Sequence, residues 1–433
     1  MTSVGLAIGG LVVLVAMIFL RVPVAVALGL VGFFGYAILE GWGRANLILG
    51  TAPIELAQAY TFSVVPLFTL MGSVAAVSGL SGDLFKAANA VMRGTRGSLA
   101  VAAIFASGLF GAICGSSVAT ALTMSKVSIP EMLRGGYGPA RAAGSVAAGG
   151  TLGILIPPSL ILMIYAIIAQ LSVAQLFAAA LLPGLFLMVF YAAIALVLGR
   201  RLKPAGPSAS PSPAPPLLSS LARIWHMVLL FAATIGGIYA GVFTPTEAAA
   251  VGALGAVLLA LATRRATVSA LASTTLETVR LVSTVIFIVM ASTIFSYFIV
   301  QTGLSAAVSA AMQQAGFGPV GAIVLLCIVY VALGCFLEGI AMILITVPIV
   351  LPLVLSFGYD PIWFGVLLVI LIEIGLITPP VGMNLFVIRA VSPGLKVTDI
   401  YLGALPFLLA PIVLIALMVA WPEMVLWLPS LVE

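Results

Sequence analysis

Long apolar stretches, separated by short polar or basic segments, run along almost the whole chain. A helix that crosses a bilayer needs about 20 predominantly apolar residues. On this pattern we predict the same number of crossings in each half of the chain. They lie near residues 4–20, 22–39, 63–81, 142–169 and 174–199, and near residues 225–242, 246–263, 281–301, 362–388 and 403–422. The chain is therefore predicted to be an all-α polytopic membrane protein.

Two further apolar stretches do not fit as simple crossings. Residues 98–125 lie between two basic clusters, and residues 318–357 lie between an uncharged segment and Asp360. Each stretch must therefore enter and leave on one side of the membrane, and each has small or polar residues near its middle. We predict re-entrant helical hairpins at about 98–125 and about 318–357. Two ordinary crossings are the alternative for the second, longer stretch.

A double proline interrupts one long apolar stretch in each half, in GILIPP (residues 153–158) and GLITPP (residues 375–380). Proline removes a backbone donor and clashes with the preceding turn, so each helix must unwind there. Unwound backbone inside a membrane is tolerated only where it faces protein or a water-filled cavity. Paired breaks at corresponding positions of two halves are typical of the binding site of a secondary transporter.

The two halves match in the order of their predicted elements. Each has three crossings, a hairpin, a broken helix (about 142–169 or about 362–388) and a final crossing. We therefore predict two repeats, at residues 1–200 and 224–433, joined by a Pro/Ser-rich cytoplasmic linker at 201–223. The first repeat begins outside and the second inside, so the repeats are inverted. Two amphipathic segments, 46–60 and 266–280, are predicted to lie along the membrane interface, with ordinary connecting helices as the alternative.

Charge supports this topology. Only 7% of residues are charged, and the net charge is +5. With the N-terminus outside, every lysine and arginine except Arg44 falls on the same side of the predicted crossings. The positive-inside rule identifies that side as the cytoplasm and places both termini in the periplasm. The basic excess is thus explained by topology, and it does not indicate a nucleic-acid partner.

The sequence contains no pattern typical of an enzyme. There is no HExxH and no Walker loop, and neither His226 nor the three cysteines have metal-ligand spacing. We therefore expect neither an enzyme nor a metal site other than one for Na⁺. A passive channel or an intramembrane enzyme is a further interpretation, disfavoured because the chain has no continuous polar stripe and no catalytic grouping.

Oxygen atoms near the breaks and the hairpin tips are suited to Na⁺, since unwound helix supplies free carbonyls. The predicted Na⁺ ligands are Cys114, Gly115, Ser116, Ser117, Gly150 and Thr151 in the first half, and Gly334, Gly339, Thr378, Gly382, Met383 and Asn384 in the second. For any single serine or threonine, the alternative is a hydrogen bond to a carbonyl of its own helix. Two or more coupling ions are expected.

Two carboxylates are predicted to lie at membrane depth, Glu338 and Glu373. Alignment on the proline pairs places Glu373 opposite Thr151, and alignment on the tip cysteines places Glu338 opposite Ser117. Acids inside a membrane are costly and mark candidate functional sites. We expect both to be supporting acids, which either neutralise a cation or anchor the hairpin through backbone amides. Helix N-termini without a nearby lysine or arginine suit an anionic substrate group.

Four segments resemble the TRAP transporter large permease (DctM-like, M) subunit of the wider ion transporter superfamily. They are GAICGSSVAT (residues 111–120), GGTLGILIPPS (149–159), LEGIAMILITVPIVLP (337–352) and ITPPVGMNLFV (377–387). The resemblance implies an elevator-type transporter with scaffold and transport parts, which uses a Na⁺ gradient to take up an organic acid across the bacterial inner membrane. A stand-alone Na⁺/carboxylate symporter of the same superfamily is the alternative.

The resemblance also implies partners and a substrate site. The partners are a small four-helix membrane subunit and a periplasmic substrate-binding protein. The residues 115–117 and 378–384 match the ion- and substrate-site segments of the family. We expect the substrate to be bound by Ser116, Ser117, Pro157, Pro158, Ser159, Pro379, Pro380 and Asn384.

Overall fold

The computed structural model describes residues 3–92, 97–199 and 216–432, and all regular elements in these ranges are helical. The predicted linker lies outside the described residues up to position 215. The helices of the first half are α1 (Ser3–Phe19), α2 (Val24–Glu40), α3 (Trp42–Gln58), α4 (Val64–Val77), α5 (Leu80–Val91), α6 (Ser98–Cys114), α7 (Ser117–Arg134), α8 (Pro139–Leu155), α9 (Leu160–Ala169) and α10 (Val173–Gly199).

The second half begins with the short helix α11 (Leu217–Ala222). It continues with α12 (Trp225–Phe231), a π-helical turn (Ala232–Gly236), α13 (Gly237–Tyr239), α14 (Pro245–Ala262), α15 (Val268–Thr302), α16 (Leu304–Gln314), α17 (Pro319–Gly334), α18 (Gly339–Ser356), α19 (Pro361–Ile377), α20 (Met383–Val391), α21 (Val397–Ala404), α22 (Leu409–Ala420) and α23 (Glu423–Leu426). Among the described residues, 7 helical stretches are long and apolar enough to cross a membrane. The predicted fold class is confirmed; the inverted orientation of the repeats stays a prediction.

Both predicted hairpins are pairs of helices joined at a short tip. Helices α6 and α7 form the first, and α17 and α18 form the second. Both predicted helix breaks are also present: α8 ends at Leu155 before α9 begins, and α19 ends at Ile377 before α20 begins. The first hairpin extends to Arg134, beyond its predicted end near 125.

The segment 266–280 is not a separate interfacial helix, in contrast to its prediction. It forms the beginning of α15, a continuous helix of 35 residues. Thr267 caps its N-terminus by accepting a hydrogen bond from the Ala270 amide at 3.2 Å. No glycine or proline lies between positions 268 and 280 to interrupt the helix. At about 1.5 Å per residue, α15 is longer than the hydrocarbon core of about 30 Å.

Six helices or helix pairs form an outer group that we call the frame: α1, α2, α4, α12–α13, α14 and α15. Helix α2 packs along α15, and α4 packs along α14. A Cβ atom on Gly32 would lie 2.6 Å from the Phe295 backbone, so glycine permits this close approach. The third crossing of each half thus packs against the second crossing of the other half.

The remaining apolar helices, α6–α10 and α17–α22, form what we call the central group. Helices α8 and α19 lie at its middle, and every residue from Ala142 to Leu155 and from Trp363 to Ile377 is buried. The frame packs against the central group along α4 and α15, among other places. Gly72 of α4 lies against the Cys114 backbone, and the Ser292 hydroxyl of α15 donates to the Leu344 carbonyl of α18 at 2.6 Å.

Candidate ion and substrate site at the helix breaks

In the first unit (α6–α9), the hairpin tip touches the helix break directly. Gly115 ends α6 in the left-handed region, with φ 65°. Its carbonyl accepts a hydrogen bond from the Leu160 amide at 3.3 Å. A Cβ atom at this position would lie 2.7 Å from the Pro158 carbonyl oxygen. Only glycine satisfies both the backbone conformation and the close contact.

Glycines next to the tip also allow the helices of the first unit to pack closely. A Cβ atom on Gly111 would lie 2.5 Å from the Gly153 Cα, and one on Gly150 would lie 2.8 Å from the Ala121 Cβ. The carbonyl oxygen of Ser116 faces Gly153, 2.9 Å from where a Cβ atom would stand. Backbone oxygens of the tip are therefore held close to the broken helix.

Several hydroxyl groups of the first unit bond to backbone atoms. Ser116 caps α7 and accepts from the Ala119 amide at 3.4 Å, while Ser117 is the buried first residue of that helix. Ser159 donates to the Ile154 carbonyl at 2.5 Å and accepts from the Leu162 amide at 3.3 Å. Ser159 is fully buried, and so are Pro157 and Pro158, which are joined by a cis peptide bond.

The second unit (α17–α20) repeats the close approach of glycines. A Cβ atom on Gly334 would lie 3.1 Å from the Gly375 Cα. At the tip, the Glu338 carboxylate caps α18 by accepting from the amides of Ile340 and Ala341 at 3.1 and 3.3 Å. A Cβ atom on Gly339 would lie 2.9 Å from the Ile161 side chain of α9. Glu338 thus anchors the hairpin, one of the two roles predicted for it.

The second break differs from the first in its surroundings. Pro379 and Pro380, also joined by a cis peptide bond, are exposed. The hydroxyl of Tyr401 on α21 approaches the carbonyls of Pro380 and Val381 at 2.8 and 3.1 Å. Thr378 donates to the Ile374 carbonyl at 2.5 Å. Unwound backbone here is therefore held by a side chain from a later helix.

Helix α20 begins after the break with a left-handed Gly382, φ 60°, followed by Met383. Asn384, in its first turn, is fully buried, yet neither its amide nitrogen nor its oxygen has a hydrogen-bond partner among the described residues. Thr120 and Ser128 of α7 also have buried hydroxyls without a hydrogen-bond partner in the described structure, and the Thr120 hydroxyl faces Gly153 of α8. Buried polar atoms are normally bonded, so the buried amide of Asn384 is suited to a polar ligand.

Each break is packed against hairpins from both halves of the chain. Before the breaks, α8 packs against α6 and α7, and α19 packs against α17 and α18. After the breaks the partners are exchanged, because α9 packs against α18 and α20 packs against α7. Each hairpin therefore contacts a broken helix from both halves of the chain.

The predicted register of Glu338 is also wrong by one residue. Glu338 and Ser116, not Ser117, occupy the same structural position, because each is the N-cap of the second helix of its hairpin.

Thr151 bonds to the Ala148 carbonyl at 2.8 Å and lies 3.2 Å from the Tyr191 hydroxyl. Sequence reasoning missed Tyr191 and Tyr401; a lone tyrosine hydroxyl in the apolar helix α10 was the available signal for the first.

No cluster of three or more His, Cys, Asp or Glu side chains suited to a metal ion occurs in the ranges that the structure describes. The geometry instead offers carbonyl, hydroxyl and amide oxygens at the tips and breaks. These are the ligands that hard monovalent cations prefer, and the assignment of particular residues as Na⁺ ligands stays a prediction.

Comparison with known proteins decides the family. Residues 11–424 match the family model of the "Tripartite ATP-independent periplasmic transporter, DctM component". The chain belongs to the DctM family. It is 37% identical, over 87% of its length and 88% of the relative, to the C4-dicarboxylate TRAP transporter large permease protein of Pseudomonas aeruginosa. It is 31% identical to the sialic acid TRAP transporter large permease protein of Vibrio cholerae, over 86% of its length and 87% of the relative.

Solved structures extend the comparison of the DctM-family fold. The Alcanivorax borkumensis YdaH transporter matches with a TM-score of 0.60 at 16% identity, covering 88% of this chain and 90% of that one. The Neisseria gonorrhoeae MtrF structure matches with a TM-score of 0.59 at 15% identity, covering 88% of this chain and 85% of that one. At these identities the likeness establishes a shared helical fold. The DctM-family chain is thus a multi-pass transporter permease.

Proposed function

We propose that this chain is the large membrane subunit of a Na⁺-coupled TRAP transporter in the bacterial inner membrane, with both termini in the periplasm. It takes up an organic acid that a periplasmic substrate-binding protein delivers, and it works with a small four-helix membrane subunit. Relatives named for C4-dicarboxylates and for sialic acid support a carboxylate as substrate. The exposed second break, between helices of the central group, supports a binding site at that position.

The single observation that carries the proposal is the burial of Asn384 in the first turn after the second break. Neither its amide nitrogen nor its oxygen has a hydrogen-bond partner in the described structure. Leaving such groups unpaired costs about 1–3 kcal/mol each. A bound Na⁺ with its coordinating oxygens, or a polar substrate group, removes this cost.

Coupling of uptake to Na⁺ requires that ion binding and the movement of the transport part depend on each other. Each hairpin contacts a broken helix from both halves, so an ion at either tip also affects how the two halves pack. We assign the frame to the scaffold and the central group to the transport part of an elevator. The two parts meet along α4 and α15, and the Ser292 hydroxyl bonds to the Leu344 carbonyl across this boundary.

Uptake by proteoliposomes tests the proposal. The chain is reconstituted with the small subunit and the loaded binding protein encoded beside it, and an inward Na⁺ gradient is imposed. We expect accumulation that disappears when choline replaces Na⁺ or when the binding protein is omitted. Equal accumulation by this chain alone would support the stand-alone symporter, and flux that is insensitive to the Na⁺ gradient would support a channel.

Substitution of two predicted ligands tests the Na⁺ site. We expect Ser116→Ala and Asn384→Ala each to raise the Na⁺ concentration for half-maximal uptake about 2- to 10-fold, the effect of losing one polar contact. Matched controls are Ser273→Ala and Asn46→Ala, since both side chains are exposed outside the central group. Unchanged Na⁺ dependence in both site variants would remove these residues as ligands.

A further inference from the structure

Two short helices lead from the frame to the central group, and each begins at a left-handed glycine. Helix α5 follows α4 after Gly79, and α16 follows α15 after Gly303; we call α5 the first arm and α16 the second arm. Gly79 has φ 70° and ψ 19°, and Gly303 has φ 68° and ψ 19°. A Cβ atom at either position would meet no atom within 4 Å. The backbone turn, and not close packing, therefore accounts for both glycines.

The second arm is bonded to a hairpin of the central group. It packs against α18, and the Ser309 hydroxyl lies 2.7 Å from the Ser356 hydroxyl of that helix. Ser356 donates its single hydrogen to the Leu353 carbonyl at 2.7 Å, so in this contact Ser309 donates and Ser356 accepts.

The first arm also packs against a hairpin, along α6 and α7, but its ion pair joins it to the frame. Asp83 lies in the first turn of α5, and its carboxylate is 2.5 Å from the Arg265 guanidinium. Arg265 lies in the turn between α14 and α15, which are both helices of the frame. The Asp83 and Arg265 side chains are 12% and 28% exposed, so water screens the pair only in part.

This ion pair differs from the others found in the described residues. Arg44–Glu40 and Arg134–Glu131 join side chains only four and three positions apart. Pairs at that spacing support local helix structure. The pair of Asp83 and Arg265 instead fixes the position of the arm relative to the frame.

A cavity lies beside the glycine at which the first arm begins. Ser78 and Leu80, on either side of Gly79, line this cavity together with Arg265. His226 of α12 lines it as well; its ring is buried, and neither nitrogen has a hydrogen-bond partner among the described residues, so it does not hold the ion pair. A glycine next to free space lets the arm turn more easily than a packed junction would.

We propose that Asp83 and Arg265 form a latch, an ion pair that holds the first arm on the frame in this conformation and breaks when the arm turns at Gly79. The proposal rests on the proposed function, in which the frame and the central group move relative to each other. The first arm contacts both parts, so such a movement must weaken one of its two attachments. A partly exposed ion pair is weak and can break and re-form, whereas the packing along α6 and α7 extends over a helix surface.

Distances between spin labels on the arm and on the frame test the latch. Labels at Lys86→Cys on α5 and Ser273→Cys on α15 occupy exposed positions, and pulsed electron paramagnetic resonance on the full chain in nanodiscs measures their separation. The native cysteines are not exposed, and a chain without the two added cysteines measures background labelling. The labelled chain is compared with versions that also carry Asp83→Asn, Arg265→Gln or both.

We expect one main separation when the ion pair is intact. Asp83→Asn and Arg265→Gln should each raise the population of a second separation about 2- to 5-fold, the effect of losing a partly exposed ion pair. The double variant should raise it no further, because both changes remove the same contact. Arg265→Lys keeps the charge and should stay close to the wild type. Glu131→Gln is the matched control, since its ion pair lies within α7.

An unchanged distribution in either Asp83→Asn or Arg265→Gln would overturn the latch. The two variants remove the pair from opposite sides, so one of them decides if the other does not fold. An equal change from Glu131→Gln would also overturn it, because the effect would not depend on the contact between arm and frame. The distances are measured without a Na⁺ gradient, substrate or partner. Failure of Na⁺-coupled uptake would therefore contradict the proposed function and leave this comparison intact.

Discussion

The two hairpin–break units have the same order of helices but differ in how their unwound backbone is held. In the first unit the tip bonds to the break, through the Leu160 amide and the Gly115 carbonyl, and both prolines are buried. In the second unit the prolines are exposed, and Tyr401 from α21 approaches the break carbonyls. The first unit is closed, because its tip is bonded to its break. The second unit is open, because its break is exposed on one side.

This difference indicates which unit can open. Separation of the first tip from its break costs a backbone hydrogen bond and exposes buried prolines. In the second unit, Tyr401 bonds the break to α21 and Glu338 bonds within the tip, so the tip and the break can separate without losing either hydrogen bond. We therefore expect the second unit to admit the substrate and the first to stay packed during that step.

The largest effect on stability is expected from Gly115→Ala, at the contact between the tip and the break of the first unit. The new Cβ combines a left-handed backbone with a contact of 2.7 Å to the Pro158 oxygen. Together these should lower the free energy of unfolding by about 2–5 kcal/mol. Denaturant titration in micelles measures the loss. Gly79→Ala is the matched control, since Gly79 has φ 70° and no atom within 4 Å of a Cβ; equal losses would mean that the contact with the break contributes nothing.

The close contacts between glycines in the two units test the same comparison, with smaller expected losses of stability. Gly111→Ala brings a Cβ to 2.5 Å from the Gly153 Cα, whereas Gly334→Ala brings one to 3.1 Å from the Gly375 Cα. We expect a loss of about 1–3 kcal/mol for the first and less for the second, by the same titration. Gly50→Ala, in open space on α3, should cause no loss. A larger loss for Gly334→Ala would reverse the assignment of closed and open units.

The smallest effects are expected from the hydroxyls that hold the breaks. Ser159→Ala should lower the free energy of unfolding by about 1 kcal/mol, because it loses a cap and a carbonyl bond. Tyr401→Phe should cost a similar amount but should alter the rate of uptake more than Ser159→Ala does. Uptake and unfolding measured on the same preparations compare the two. An equal effect on uptake from both would contradict a special role for the second break.

Much of this architecture follows from the sequence because membrane helices have strict requirements. The long apolar stretches, the prolines at the breaks and the glycines at the tips predicted the helices, hairpins and breaks. Asn384 was predicted to be a ligand because its amide lies near the second break, and this role stays a prediction. The continuity of α15 was missed because polarity suggested an interfacial segment, although no residue there stops a helix.

The remaining errors concern contacts between distant segments. The caps that align Glu338 with Ser116 depend on where each helix starts, which cysteine spacing does not determine. The exchange of partners after the breaks depends on how α9 and α20 cross the opposite hairpins. Tyr191 and Tyr401 bond to residues 40 and about 20 positions away. The lone hydroxyl in the apolar helix α10 marks Tyr191 as unusual, but no local pattern indicates its partner.

The bond from Ser292 to Leu344 has a cause in the covalent structure of α18. Pro348 follows Leu344 by one helical turn and has no amide hydrogen, so the Leu344 carbonyl is left without its usual partner. In a membrane interior that oxygen needs another donor, and the hydroxyl of α15 provides it. Pro348 removes one hydrogen bond within α18 and thereby determines the position along α18 at which α15 forms a hydrogen bond.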